Sequence, residues 1–203
     1  MPIDEKSITH LGPSDTKARF DYICGHCNRY VTGRVVGTYL FSSPTDKMSF
    51  CSISFLICPS CSMGSVSHSI GNKEETIPGA NPGDNLEGLP LEIHEAYNEA
   101  RKCFSIKAYT GCELLCRKIL MYIGTDKGAP EGDTFLSYLD YLEQQGFITP
   151  PIKAWVDRIR QFGNLSTHNL TPPDKSRSET TFRFTMVLLR IIYEMEYLSE
   201  HFK

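Results

Sequence analysis

The sequence predicts an α+β chain: a small metal-clamped β domain, a connector, and an α-helical bundle of about five helices, over residues 1–70, 71–89 and 90–203. Three observations carry this prediction. Four cysteines stand as two C-x-x-C pairs, Cys24/Cys27 and Cys58/Cys61, separated by thirty residues. The residues between the pairs alternate with a strand's period of two, and beyond Pro90 apolar residues recur every three or four positions.

Each cysteine pair has a knuckle-like setting, Cys24-Gly25-His26-Cys27 and Cys58-Pro59-Ser60-Cys61. Two such turns bring four thiolates onto one tetrahedral ion, as structural zinc requires, so the N-terminal third reads as a zinc ribbon. A disulfide framework and a redox C-x-x-C are the competing readings. The first twenty residues hold Asp4, Glu5, Lys6, Asp15, Lys17 and Arg19 and no apolar core, so a secretion signal is not expected. The expected compartment is then the reducing cytoplasm, where disulfides are disfavoured. No helical pattern follows Cys27, and the presence of two pairs also argues against a thioredoxin-like site. Four thiolates fill a tetrahedral site, which leaves His26 as a solvated turn residue and leaves no position for a catalytic water.

Tyr30 to Phe41 is rich in Val, Thr and Tyr, and Cys51, Ile53, Phe55 and Ile57 alternate with Ser52, Ser54 and Leu56. This predicts a half-buried sheet of two or three strands with its turn at Ser42 to Asp46 and with Cys51 packing as a small hydrophobe. A domain of about sixty residues buries little apolar surface unaided, so a metal clamp is what it needs. Residues 71–89 hold Pro78, Pro82 and four glycines with little hydrophobic pattern, and read as a linker.

In the helical part, Ile93, Ala96, Tyr97, Ala100 and Phe104 mark a first helix over Leu91–Phe104. Cys112, Leu115, Cys116, Ile119, Leu120 and Ile123 mark a second over Ala108–Ile123, with Gly124 expected to stop it. Phe135, Leu136, Leu139 and Leu142 mark a third, closed by Gly146. A fourth follows Pro150-Pro151 with Ile152, Trp155, Val156, Ile159 and Phe162, and a fifth begins near Ser178. Cys103, Cys112 and Cys116 fall in or beside these stripes and read as buried free thiols.

The chain has 203 residues, 40% hydrophobic and 11% aromatic, enough for one medium domain and a small one. No apolar run approaches the roughly twenty residues a membrane helix needs, and no membrane contact is expected. A net charge of -3 argues against a protein that coats nucleic acid indiscriminately. Residues 151–190 nevertheless carry seven Lys or Arg against three acids, a local excess that meets phosphate or, more commonly, makes a mixed helix surface.

Arg160, Asn164 and His168 are spaced i, i+4 and i+8, so an unbroken helix carries them along one face over roughly 12 Å. A guanidinium, a carboxamide and an imidazole in a row suit phosphate and base binding. They also suit RNA cleavage, with His168 moving the proton and Arg160 stabilising charge on phosphorus. Side-chain bonds to a neighbouring helix, and an acid partner for Arg160, are the structural alternative.

The run Pro90-Leu91-Glu92-Ile93-His94-Glu95-Ala96-Tyr97, the run Ala108-Tyr109-Thr110-Gly111-Cys112-Glu113-Leu114-Leu115-Cys116-Arg117-Lys118, and Ile159-Arg160-Gln161-Phe162-Gly163-Asn164 with His168 stand in that order. In them the chain resembles a large bacterial family of unknown function, itself similar to the HEPN (higher eukaryotes and prokaryotes nucleotide-binding) helical domains. The resemblance implies a HEPN-like bundle, a homodimer, RNA or nucleotide as ligand, and a role beside protein partners in phage defence or restriction. Catalytic HEPN ribonucleases are similar in carrying an Arg directly before the Asn; this chain has Gly163 there, so Arg160 has to supply the cation from one turn earlier. Met121 stands where the family commonly has a Glu, which deprives Arg117 of a local partner. Arg117 and Arg158 are then candidate ligand contacts, and Tyr30, Arg34, Tyr39 and Phe41 a candidate stacking surface on the ribbon. The favoured expectation is a non-catalytic nucleic-acid, nucleotide or interaction module. A metal-independent ribonuclease using His168, Asn164 and Arg160, and a structural dimerisation subunit, are the alternatives.

Overall fold

The computed structural model describes residues 8–11, 19–42, 50–71, 73–166 and 171–201, with the backbone alone at 8–11, 42, 50 and 162–166. The chain divides into two compact units, Met1–Asn81 and Pro82–Lys203, and is of mixed α+β class.

The N-terminal unit is an antiparallel sheet of six strands: β1 (Ile8–Leu11), β2 (Arg19–Ile23), β3 (Tyr30–Ser42), β4 (Phe50–Ile57), β5 (Gly64–Ile70) and β6 (Lys73–Ile77). The spatial order is β1-β3-β4-β5-β6, and β2 pairs with β3 as well. The long β3 serves both short strands, β2 against 30–34 and β1 against 38–41. β3 and β4 are the hairpin expected from alternation; the residues expected to turn between them lie, past Ser42, outside the described residues. The sheet is larger than the expected two or three strands. β5 reads Gly-Ser-Val-Ser-His-Ser-Ile and β6 Lys-Glu-Glu-Thr-Ile, serine-rich and charged sequences with little apolar alternation to announce a strand. β6 occupies part of the segment that reads as a linker.

Along β3, Val31, Gly33 and Val35 point inward while Tyr30, Thr32, Arg34 and Val36 point out. The pairing with β4 steps at Val36, between Val35↔Leu56 and Gly37↔Phe55, a β-bulge that increases the local twist. The inner face buries Tyr22, Val31, Val35 and Leu56 against Cys24 and Cys58. Cys51 is also buried, in its expected packing role.

The second unit contains α1 (Leu91–Ser105), α2 (Tyr109–Asp126), α3 (Phe135–Gln144), α4 (Pro150–Ser166), α5 (Lys175–Leu189) and α6 (Met195–His201), with a π-helical turn, Arg190–Glu194, joining the last two. Thr134 and Asp174 cap α3 and α5 by accepting the N–H groups of Ser137 and Arg177. The Asp174 cap starts α5 before Ser178, where the apolar stripe alone placed it. The π-helical turn buries three successive residues, Ile192, Tyr193 and Glu194. The core gathers Tyr97, Leu120, Ile123, Leu139, Leu142, Val156, Phe182 and Leu188, with the Tyr97 and Phe182 rings stacked 5.5 Å apart. Cys112 and Cys116 lie fully inside it. No helix among the described residues is long and apolar enough to cross a membrane.

Gly124 does not end α2, which runs on to Asp126; it is buried within the helix. A Cβ there would lie 2.5 Å from Cδ1 of Tyr138, so the glycine is what lets α3 approach. Gly128, at φ +101°, comes directly after the cap residue Lys127. Gly124→Ala is therefore expected to destabilise the helical unit by about 1–3 kcal/mol despite alanine's better helix propensity, measured by urea unfolding.

Residues 82–89 belong to this unit. Arg101, only 4% exposed, donates to the carbonyls of Pro82 and Gly83 and to the side-chain oxygens of Asn85 and Asn98. The Tyr97 hydroxyl donates to the Asp84 carbonyl. Arg190 pairs with Asp84 and Glu194, and Glu194 accepts the N–H of Glu87.

Candidate metal centre and charged surfaces

The loops after β2 and after β4 fold alike. In the first, Asn28 N–H bonds the Cys24 carbonyl and Cys24 N–H the Arg29 carbonyl; in the second, Ser62 N–H bonds the Cys58 carbonyl and Cys58 N–H the Met63 carbonyl. Asn28 and Ser62, each directly after a second cysteine, have left-handed φ of 56° and 60°. The turns hold the first and second thiol of each pair on one side. His26 Nε2 donates to the Gly64 carbonyl at 3.0 Å, so this turn residue ties one knuckle to the strand leaving the other. Gly25 has no room for a side chain: a Cβ would meet the carbonyl oxygens of Gly79 and Pro78 at 2.3 and 2.5 Å. Asn81 donates to the Gly25 carbonyl and closes the same contact.

The four sulfur atoms of Cys24, Cys27, Cys58 and Cys61 lie within 4.8 Å of one another. Sγ of Cys24 is 3.8 Å from that of Cys61, and Sγ of Cys27 is 3.8 Å from that of Cys58. A tetrahedron with metal–sulfur bonds of about 2.3 Å has edges of about 3.8 Å, so two of the six edges already have that length and the cluster is compatible with a thiolate zinc site. Burial raises the Cys58 thiol, but the N–H groups of Cys61 and Ser60 outweigh it and hold the group down at about 7. Burial raises the Cys24 thiol, and despite the Met63 N–H, burial and the neighbouring thiols push Cys61 up to about 12, so within the cluster Cys58 is held toward the thiolate that a metal needs while Cys24 and Cys61 are held away from it. The donor set is compatible with zinc and is closed by protein on all four sides.

The other face of the sheet is open. Register places Arg19 directly opposite Arg34, and Arg34 opposite Ile57 on its other side. Tyr30, 72% exposed, stands opposite Ile23, and Phe55, 42% exposed, meets Tyr39 edge-on at 6.0 Å. Two like charges directly across a ladder repel, and neither guanidinium has a carboxylate partner among the described residues. Asp21 stands on the same face opposite Thr32, whose hydroxyl donates to it at 2.6 Å. Of the aromatic surface expected on the ribbon, Tyr30 and Arg34 are the exposed members; Tyr39 and Phe41 are half-buried. Arg19 and Phe55 escape sequence reading, because only the strand register puts them beside Arg34 and Tyr39.

In the helical unit, Arg160 is held by three carboxylates: Nη2 donates to Asp140 at 2.6 Å and to Glu143 at 2.8 Å, and Nη1 to Asp157 at 2.9 Å. Lys153 joins the same cluster through Glu143. The network fastens α3 to α4. Asn164 lies on α4 with only its backbone described, and His168 lies outside the described residues, so among the proposed trio the geometry speaks for Arg160 alone. Arg117 lies over the Phe135 ring at 4.4 Å, and Arg158 is exposed on α4. The basic excess of residues 151–190 is largely neutralised locally, since Lys153, Arg160, Arg177, Arg183 and Arg190 all pair with acids. Arg160→Ala is expected to lower the stability of the bundle by on the order of 1 kcal/mol, read by thermal unfolding, because it leaves three carboxylates crowded together.

The fold and this cluster define a two-part α+β protein whose sheet unit carries a four-cysteine cluster compatible with a metal site and whose second unit is a helical bundle. Residues 98–203 match the model of a domain of unknown function, DUF4145, and the chain belongs to that family. No curated protein and no solved structure matches it.

Proposed function

We propose that the protein is a non-catalytic binding module for single-stranded nucleic acid, with a structural zinc ion held by Cys24, Cys27, Cys58 and Cys61. The observation that carries this reading is the open sheet face. Arg19 and Arg34 sit side by side without an ion pair to a described carboxylate, on the face that also carries the exposed rings of Tyr30 and Phe55 and the side chain of Ile57. Adjacent cations accept backbone phosphates, whose charge relieves the repulsion between them, and an exposed ring supports a base whatever its identity. The resemblance of the helical unit to HEPN nucleotide-binding domains points the same way, and with it come homodimerisation and a place in defence systems.

Ribonuclease chemistry through Arg160, Asn164 and His168 has less support, because a guanidinium engaged by three carboxylates has its charge already compensated. The test is binding of a fluorescent single-stranded RNA to the zinc-loaded full chain. Tyr30→Ala is expected to weaken it by about 1–3 kcal/mol. Equal affinity of wild type and variant would remove the sheet face as the binding surface, and cleavage of the RNA that depends on His168 would restore the catalytic reading.

A further inference from the structure

The open face of the sheet carries one group that gripping a phosphate backbone does not use. Asp21, exposed at the middle of β2, stands opposite Thr32 in the row between Arg19–Arg34 and Ile23–Tyr30. Successive rows are two residues apart, about 6.6 Å along the strands. The carboxylate is therefore placed between the cations that take a phosphate and the ring that takes a base. Phosphate alone gives no reason for it, since an anion there repels a polyanionic strand and offsets the two guanidiniums beside it. Among the described residues it forms no ion pair with either of them; Oδ1 instead accepts the Thr32 hydroxyl from across the ladder at 2.6 Å.

That bond orients the carboxylate and decides what it offers. The Thr32 proton takes one lone pair of Oδ1 and leaves Oδ2 and the rest of Oδ1, two acceptors side by side with no donor between them. Of the bases in RNA, guanine alone presents two adjacent N–H groups on its pairing edge, N1–H and N2–H. Adenine and cytosine each set an N–H beside a ring-nitrogen acceptor, and uracil sets its N–H between two carbonyls. Each of these three brings a lone pair against the carboxylate. Stacking on Tyr30 is indifferent to base identity, which leaves the edge contact one row away as the source of choice.

We infer that Asp21, held in place by Thr32, makes this face selective for guanine in a single strand. The inference rests on the nucleic-acid reading above and names the base that the same site prefers. Its test uses the zinc-loaded full chain and fluorescent oligouridine strands that carry one central guanosine, inosine, adenosine or cytidine. Inosine keeps N1–H and lacks the N2 amino group, so it removes one of the two bonds to the carboxylate. The guanosine strand is expected to bind about tenfold more tightly than the inosine strand, the size of a lost hydrogen bond to a charged group in a bidentate base contact. Asp21→Asn sets an amide N–H against one of guanine's own and is expected to abolish that difference. Its affinity for plain oligouridine should stay the same or rise, because an opposing charge is gone. Equal affinity for the guanosine and inosine strands, tighter binding of the adenosine or cytidine strand, or a guanosine preference that survives in Asp21→Asn would overturn the inference. The sheet face would then still stand as a binding surface if Tyr30→Ala weakens every strand. No binding of any strand would overturn the nucleic-acid reading and the inference with it.

Discussion

Replacing Cys58 with serine is expected to abolish metal binding and unfold the N-terminal unit while the helical unit stays folded. Among the described residues the inner face of the sheet buries Tyr22, Val31, Val35 and Leu56 beside the thiols, with Phe20 packed against them, and Cys24 and Cys58 are themselves members of that core. Such a unit has little apolar burial to set against its chain entropy. Structural zinc binding releases about 10–16 kcal/mol in small thiolate domains, and that free energy is folding free energy. Metal content, strand signal in circular dichroism and protease resistance of residues 19–77 should fall together, and a chelator should reproduce the effect on the wild type. The helical signal should persist, because its core and its strap of residues 82–89 lie wholly within Pro82–Lys203. A metal-free sheet that keeps its protection would show that Cys24, Cys27, Cys58 and Cys61 are packing residues first.

The second large effect is expected at Glu113. This carboxylate is buried in α2 and receives Nη2 and Nε of Arg177 from α5 at 2.6 and 2.9 Å, a bidentate pair with side chains only 6% and 17% exposed. Glu113→Ala leaves a guanidinium inside the bundle without its carboxylate and should destabilise the unit by about 3–5 kcal/mol in urea unfolding. Replacing both partners by apolar residues, Glu113→Leu with Arg177→Met, should recover most of the loss, since what is expensive is the stranded charge. If the double variant is as unstable as the single, the two side chains hold the helices through contacts other than their mutual pairing.

How much of this was legible depended on whether the signal was local. The cysteine spacing needed no tertiary information, because a C-x-x-C turn positions its own thiols, and the structure brings the two turns together with all four sulfur atoms within 4.8 Å of one another. The helices were legible from their apolar stripes, but their ends were not: Gly124 looks like a stop until Tyr138 of α3 is seen resting against it. β5 and β6 were hidden because their serines, glutamates and lysine give no alternation. Residues 82–89 looked like linker because what fixes them is remote in sequence, Arg101 and Arg190 reaching back to backbone and to Asp84. Surface charge was the least legible of all. Arg160 reads as a free cation in sequence and is bound to Asp140 and Glu143 twenty and seventeen residues away. Arg19 reads as one charge in an N-terminal tail and stands against Arg34 through the β2–β3 register.

That juxtaposition leads to the most direct test. The affinity of the zinc-loaded chain for a single-stranded RNA, measured across a range of salt concentrations, should fall linearly on a log–log plot. Each phosphate contact contributes about 0.7 to the slope for single strands. Arg19→Gln with Arg34→Gln should therefore flatten the slope by about 1.4 and leave the zinc content and the sheet unchanged. A slope identical in wild type and double variant, or no binding at low salt, would contradict the proposal that this face grips a nucleic-acid backbone.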